Sequence, residues 1–175
     1  MSNPPPVRLF LVGMMGSGKT TVGRALAART GWPYVDNDAL LQAATGKGAP
    51  ELIAELGETG LHAGEVAAFE HAAALPPPII ASIAGGVIDS DSARRQLAVA
   101  GTVVWLRARP ETLLARVGGG VGRRPSAVST DWVKETAEAR EGLYRSVARI
   151  VADVDDRTPD EIADAIVRSL HASSA

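Results

Sequence analysis

Gly13-Met14-Met15-Gly16-Ser17-Gly18-Lys19-Thr20 matches the pattern G-x-x-x-x-G-K-[ST] in full. A loop of this kind turns backbone N–H groups inward around an anion, and a helix starting at its end adds partial positive charge. Lys19 can reach the outer phosphates of a nucleoside triphosphate, and the Thr20 hydroxyl can hold Mg²⁺. Gly13, Gly16, Ser17, Gly18, Lys19, Thr20 and Thr21 are therefore nucleotide-binding candidates. An apolar run from Val7 to Val12 precedes the loop, and a helix-like stretch from Lys19 to Arg29 follows it. That strand–loop–helix setting is what the motif requires, so the chain is expected to handle a nucleoside triphosphate.

Other residues could complete such a site. Asp36-Asn37-Asp38 carries two carboxylates at the end of a short strand-like run. One could hold Mg²⁺ through its water shell while the other orients, or takes a proton from, an acceptor hydroxyl. Alternatively, Asp38 caps a helix that opens at Ala39. Positioned carboxylates recur in phosphoryl transfer, which favours the catalytic reading in a triphosphate-binding chain. Ser82 stands where many triphosphatases carry an acid, so a motor-type Walker B acid is missing. Gly85-Gly86 allows close backbone approach to a ligand, or else forms a plain tight turn. Transfer also needs cations over the developing charge, which makes Arg123 and Arg124 candidates, unless they are a solvated pair. Arg140 lies on a long helix behind them. Arg116 could lay its flat guanidinium on a nucleotide base, or lie on the surface.

These residues need a frame. Short apolar runs alternate with longer helical patterns, which argues for βαβ units and a parallel sheet, an α/β fold. Strands are expected at Val7–Val12, Tyr34–Asp36, Ile79–Ile83, Thr102–Leu106 and Ile150–Asp153. Helices are expected at Lys19–Thr30, Ala39–Thr45, Leu52–Leu56, Leu61–Leu75, Ser92–Ala100, Pro110–Val117, Asp131–Val147 and Pro159–His171. Pro110 suits a first helical turn, as does Pro159 in Thr158-Pro159-Asp160-Glu161. Pro76-Pro77-Pro78 cannot continue a helix and closes the one before it. The Gly118–Gly122 stretch, followed by Arg123-Arg124-Pro125, reads as a mobile basic loop between two helices. Sheets of this kind bind ligands at the carboxyl ends of their strands, where each candidate above falls.

Bulk properties narrow the class. The 175 residues fit one domain with a small lid or insert, large enough to bury a core without staples. With no Cys there is neither a disulfide framework nor a thiolate metal site, which fits a reducing cytoplasm. A net charge of −2 gives no electrostatic case for nucleic acid or a membrane surface as partner. No run reaches the roughly 18 apolar residues of a membrane span. Met1 to Pro6, with three prolines, reads as a disordered lead-in. Two Phe, two Tyr and three Trp leave the core to aliphatic side chains.

Taken in order, the motifs resemble the shikimate kinases, small nucleoside-monophosphate-kinase-like enzymes, over nearly the whole chain from Val7 to about Leu170. The 13–23 stretch, Gly-Met-Met-Gly-Ser-Gly-Lys-Thr-Thr-Val-Gly, is close to that family's phosphate loop and following helix. Tyr-Val-Asp-Asn-Asp at 34–38 is similar to its paired-aspartate motif, and Gly57-Glu58 through Glu65 falls at its substrate-side segment. Ala84-Gly85-Gly86 sits at its triple glycine, Arg124-Pro125 at its lid motif, and Arg140…Leu143-Tyr144 at its Arg-x-x-Leu-Tyr. The resemblance implies a five-stranded parallel sheet flanked by helices, a P-loop kinase fold with a substrate-binding region near 37–65 and a lid near 118–128. It implies that Lys19 and Arg124 bind ATP phosphates, and that Thr20, Asp36 and Ser82 hold Mg²⁺. It further implies that Asp38 contacts the acceptor hydroxyl, while Gly85, Gly86 and Arg140 hold the acceptor, with Arg140 meeting a carboxylate. A cytoplasmic monomer with a small-molecule substrate is expected.

Three positions depart from the family pattern. Leu61-His62 falls where the second substrate arginine is expected, Ala84 replaces the first glycine of the triple, and Ser126-Ala127 replaces two leucines. His62 is the departure with most consequence for substrate choice. A forked guanidinium makes two charge-assisted bonds to a carboxylate, whereas an imidazole makes one and is only partly charged near neutral pH. Such a loss is on the order of 1.5–3 kcal/mol, roughly tenfold to a few hundredfold in affinity. His62 with no ligand role is the alternative. The resemblance therefore implies ATP- and Mg²⁺-dependent phosphorylation of shikimate to shikimate 3-phosphate. The departures keep open a kinase for gluconate, another sugar acid or a cyclitol, and a nucleotide-binding regulator without transfer activity. No Asn-Lys-x-Asp motif points to a GTPase.

Overall fold

The computed structural model describes residues 6–117 and 129–172. The expectations placed on 1–5 and on the 118–128 loop, including Arg123, Arg124, Pro125, Ser126 and Ala127, lie outside the described residues.

The central strand, β1 (Arg8–Val12), is apolar on both faces, as a strand covered on both sides must be. Leu9 and Leu11 belong to one core cluster, Phe10 and Val12 to the other. Alternation at period two thus feeds both sides of one sheet. That sheet has five strands in the order β2 (Tyr34–Val35), β3 (Ile79–Ser82), β1, β4 (Thr102–Arg107), β5 (Ile150–Asp153), with every pairing parallel. From β1 the chain crosses to β2 on one side and later to β4 on the other. This reversal opens a crevice at the carboxyl end of β1, where open parallel sheets bind ligands.

Helices cover both faces. On one, α1 (Lys19–Thr30) and α7 (Pro159–Ala172) bury Val22, Leu26, Ile162 and Ile166 against the sheet. Arg29 and Asp164 join them at 2.5 Å. The start of α7 is a reciprocal cap, with the Glu161 N–H on the Thr158 hydroxyl and the Thr158 N–H on the Glu161 carboxylate. On the opposite face lie α2 (Asn37–Thr45), α3 (Ala49–Ala74), α4 (Asp91–Ala100) and α6 (Thr130–Val147). Phe69 of α3 meets Phe10 edge to face at 5.8 Å, which locks the long helix onto β1. α5 (Pro110–Val117) buries Leu113 in the same cluster.

Three boundaries differ from expectation for identifiable reasons. The expected helices at 52–56 and 61–75 run together as α3, Ala49–Ala74, two helical stretches joined by a kink at Gly57, which alone leaves helical geometry (φ 66°, ψ −167°), with Leu75 as the cap. One positive-φ glycine makes the kink between the two stretches without a loop. α2 begins at Asn37 rather than Ala39, because Asp36, not Asp38, is its N-cap. Gly85-Gly86 opens a short 3₁₀ helix, Gly85–Asp89, rather than a plain turn. Among the described residues, no helix is long and apolar enough to cross a membrane.

Candidate active site

The loop after β1 curls back into α1 through three glycines at positive φ: Gly13 (146°), Gly16 (85°) and Gly18 (93°). At Gly13 a Cβ would come 2.7 Å from the Leu106 carbonyl oxygen, so the loop packs against β4 as only glycine allows. The Lys19 ammonium donates to the carbonyls of Gly13 (2.8 Å) and Met14 (3.1 Å), folding over the mouth of the loop. Arg116 donates to the carbonyls of Gly16 (3.3 Å) and Val154 (3.4 Å), bridging the loop to the segment after β5. Ser17 is buried, and its hydroxyl has no hydrogen-bond partner among the described residues.

Thr20, the second residue of α1, donates to Asp36 Oδ2 at 2.8 Å. Asp36 Oδ1 accepts the Asp38 N–H at 3.1 Å, which is the cap of α2. The Tyr34 phenol donates to Asp36 Oδ2 and meets Ser82 Oγ, both at 2.8 Å. Burial first, and then its bond to Asp36 against an opposing one from Ser82, pushes the Tyr34 phenol up to about 12. Thr20, Asp36 and Ser82 are thus brought into one all-oxygen cluster. Such donors suit a hard cation, and three of them suit Mg²⁺, which keeps several waters and shares substrate phosphates.

The cleft beside this cluster encloses about 520 Å³. Gly16, Gly18, Lys19, Thr20, Thr21 and Arg116 line it at the phosphate-loop end. Asp36, Asp38 and Ser82 also line it, as do Gly85, Gly86 and Arg140. Asp38 is exposed to the cleft, one residue into the helix that Asp36 caps. Buried Asn37 beside it has an amide nitrogen without a hydrogen-bond partner among the described residues.

Arg140 projects from α6 toward the glycine floor. A Cβ on Gly86 would lie 3.7 Å from its Nη2, and one on Gly85 would lie 3.8 Å from its Nη1. Asp89, at the end of the 3₁₀ helix, takes its other side, accepting from Nε at 3.0 Å and Nη2 at 2.6 Å. Burial works against the guanidinium charge, but the Asp89 carboxylate outweighs it and holds Arg140 above its ordinary value. His62 is half-buried, and its Nδ1 would lie 3.6 Å from a Cβ on Gly86, but it is not among the residues that line the cleft. The backbone under this floor is fixed by buried Tyr144, which donates to the Gly85 carbonyl at 3.0 Å.

Most of the candidate residues named from the sequence therefore line one cleft, with His62 outside that lining, and the sequence did not mark the residues that support them. Tyr34 was discoverable, since it sits two residues before Asp36 at a strand end where alternate side chains share a face. Asp89 and Trp132, which also lines the cleft, carry no motif that would have marked them.

The chain is similar to known proteins over nearly its whole length. A family model described as shikimate kinase matches residues 15–171. The chain is 37% identical over 168 residues to the shikimate kinase of Symbiobacterium thermophilum, covering 94% of this chain and 96% of that one. It is also 37% identical over 172 residues to shikimate kinase 2 of Sodalis glossinidius, covering 95% and 97%. Among solved structures, the shikimate kinase from Acinetobacter baumannii in complex with shikimate superposes with a TM-score of 0.87. That pair is 27% identical and covers 98% of this chain and 95% of that one.

Proposed function

The chain belongs to the shikimate kinase family, and from that premise we propose that it transfers the γ-phosphoryl group of ATP to a hydroxyl of shikimate, giving ADP and shikimate 3-phosphate. The observation that carries this reading is the single cleft shared by Lys19, Asp38 and Arg140. Phosphate ligands, an acceptor carboxylate and a carboxylate-binding cation stand around one space. In this class of reaction the protein works by positioning and electrostatics.

ATP phosphates lie in the Gly13–Thr20 loop, with Ser17 and Thr21 beside them and Lys19 turning from its carbonyls to the outer phosphates. Arg116 flanks the base side, and Arg124 is assigned to the phosphates from its place in the sequence. Asp38 orients the acceptor hydroxyl and takes its proton as the new P–O bond forms and the bond to ADP breaks. Thr20, Asp36 and Ser82 hold Mg²⁺, which when bound offsets phosphate charge. Shikimate occupies the side formed by residues 37–65, with its carboxylate on the Nη1–Nη2 edge of Arg140. That edge faces Gly85-Gly86, while Asp89 binds the Nε side. A reducing cytoplasmic setting suits a sequence without cysteine.

The test is an ADP-release assay with ATP and Mg²⁺, offering shikimate, gluconate and cyclitols in parallel. Turnover is expected with shikimate. Asp38→Asn should keep ATP binding and lose about a hundredfold or more in kcat. Turnover with another acceptor alone would overturn the substrate, and tight ATP binding without any turnover would indicate a regulator.

A further inference from the structure

β2 is only two residues long, Tyr34–Val35, and lies at the edge of the sheet, paired with β3 alone. Asp36 follows it directly and begins α2, so few ladder hydrogen bonds hold the backbone that carries both carboxylates. Side-chain bonds take over. The Tyr34 ring lies against α1 at Gly23, where a Cβ would come 2.3 Å from the ring. Its phenol reaches both Asp36 on its own segment and Ser82 at the end of β3.

The proton count in this group is informative. A phenol has one proton, and Tyr34 donates it to Asp36 Oδ2. The 2.8 Å contact with Ser82 must then use the serine proton, with the phenol oxygen accepting. Ser82 is left with lone pairs to offer. A carboxylate has about four acceptor sites. Asp38 N–H, Thr20 and Tyr34 occupy three of those on Asp36, with one donor on Oδ1 and two on Oδ2. The remaining site is on Oδ1.

We infer that Tyr34 is a positioning residue for the hydrated cation. By donating to Asp36 and accepting from Ser82, it leaves both as acceptors, the arrangement that the waters around Mg²⁺ require. Those waters present only hydrogens outward, and a serine proton turned into the site would oppose one of them. The same bond steadies the cap of α2 and therefore Asp38, so one phenol serves the cation and acceptor sides together. The inference deepens the Mg²⁺–ATP reading above and rests on it.

The experiment compares Tyr34→Phe with the unsubstituted protein by calorimetric titration of ATP, once with Mg²⁺ and once with a chelator. Thermal melting of each protein runs alongside. The unsubstituted protein should bind ATP more tightly with Mg²⁺. In Tyr34→Phe, which keeps the ring in its Gly23 seat, that gain should shrink about tenfold, the usual worth of a hydrogen bond to a charged group. Chelated ATP should bind both proteins alike. Ser82→Ala, which keeps the Tyr34–Asp36 bond, should lose a smaller part of the gain and supplies the same readout if Tyr34→Phe does not fold. An undiminished gain in Tyr34→Phe, or equal weakening with and without Mg²⁺, would overturn the inference and leave the phenol a structural part. No gain from Mg²⁺ in the unsubstituted protein would instead remove the Mg²⁺ reading, and this inference with it.

Discussion

Arg140 is bound on its Nε side by Asp89, and His62, where the family resemblance leads one to expect a second arginine, approaches the same Gly86 floor. Asp89 keeps the buried guanidinium charged and aimed, but its negative charge also lowers the attraction felt by an acceptor carboxylate. His62→Arg tests how much binding the imidazole forgoes. Its guanidinium would start beside the Gly85-Gly86 floor, and KM for shikimate should fall roughly tenfold with KM for ATP unmoved. An unchanged KM for shikimate would show that position 62 does not reach the acceptor. His62 was singled out from the chain alone. The Asp89 partner was not, because 51 positions separate it from Arg140 and only the packing of α6 on the 3₁₀ helix joins them.

Between elements, local sequence and tertiary contact divide the work. The end of α1 and the start of α5 follow from the residues themselves: Gly31 closes α1 in a left-handed cap, and Pro110 opens α5. Those of α3 do not, since Gly64 lets Leu41 and Leu52 close over it and hold the helix on α2 past Gly57. The β4–β5 pair is fastened beyond its backbone ladder by Arg107, which binds Asp153 through Nε at 2.5 Å and Nη2 at 2.9 Å. The Arg107 hydrogen bond and charge hold the Asp153 carboxyl below its ordinary value. A lowered folded-state value contributes stability that is complete above the unfolded value near pH 4 and disappears as pH falls through the lowered one. Asp153 is more than half exposed, so Asp153→Asn should cost less than about 1 kcal/mol at neutral pH. Urea unfolding should show that gap near pH 6 and its steady narrowing as pH falls below about 4. A gap that persists in acid would mean the cost is packing and not charge.

The molecule as a whole joins at Tyr144. From α6 its ring stacks on Trp105 of β4 at 5.7 Å, and its hydroxyl holds the Gly85 carbonyl of the site floor. Complete burial pushes its ionisation upward, out of the usual tyrosine range, with Arg140 pulling the other way. The folded state therefore keeps the phenol neutral while the unfolded chain ionises near pH 10. Its contribution is full below that pH and declines above it, by up to about 1.4 kcal/mol per pH unit. Tyr144→Phe should be the less stable protein near pH 8, yet should lose stability less steeply near pH 11. Denaturant midpoints at the two pH values measure this, and parallel slopes would show that Tyr144 does not carry the alkaline limb.

The chain by itself determined the phosphate loop, the alternation of strands and helices, and the identity of most cleft residues. Each of these depends on neighbours within a few positions: glycines for the turn, period-two or period-3.6 burial, and a cap or proline at an end. Tertiary structure decided which groups touch. It made Asp36 rather than Asp38 the cap, set Tyr34 between Asp36 and Ser82, and gave Arg140 to Asp89. Those contacts join residues from different strands and helices, or depend on which way a side chain turns once a neighbouring helix is packed. No local pattern encodes them, because the distances that select one hydrogen bond over another exist only after the sheet and its two helical layers have closed.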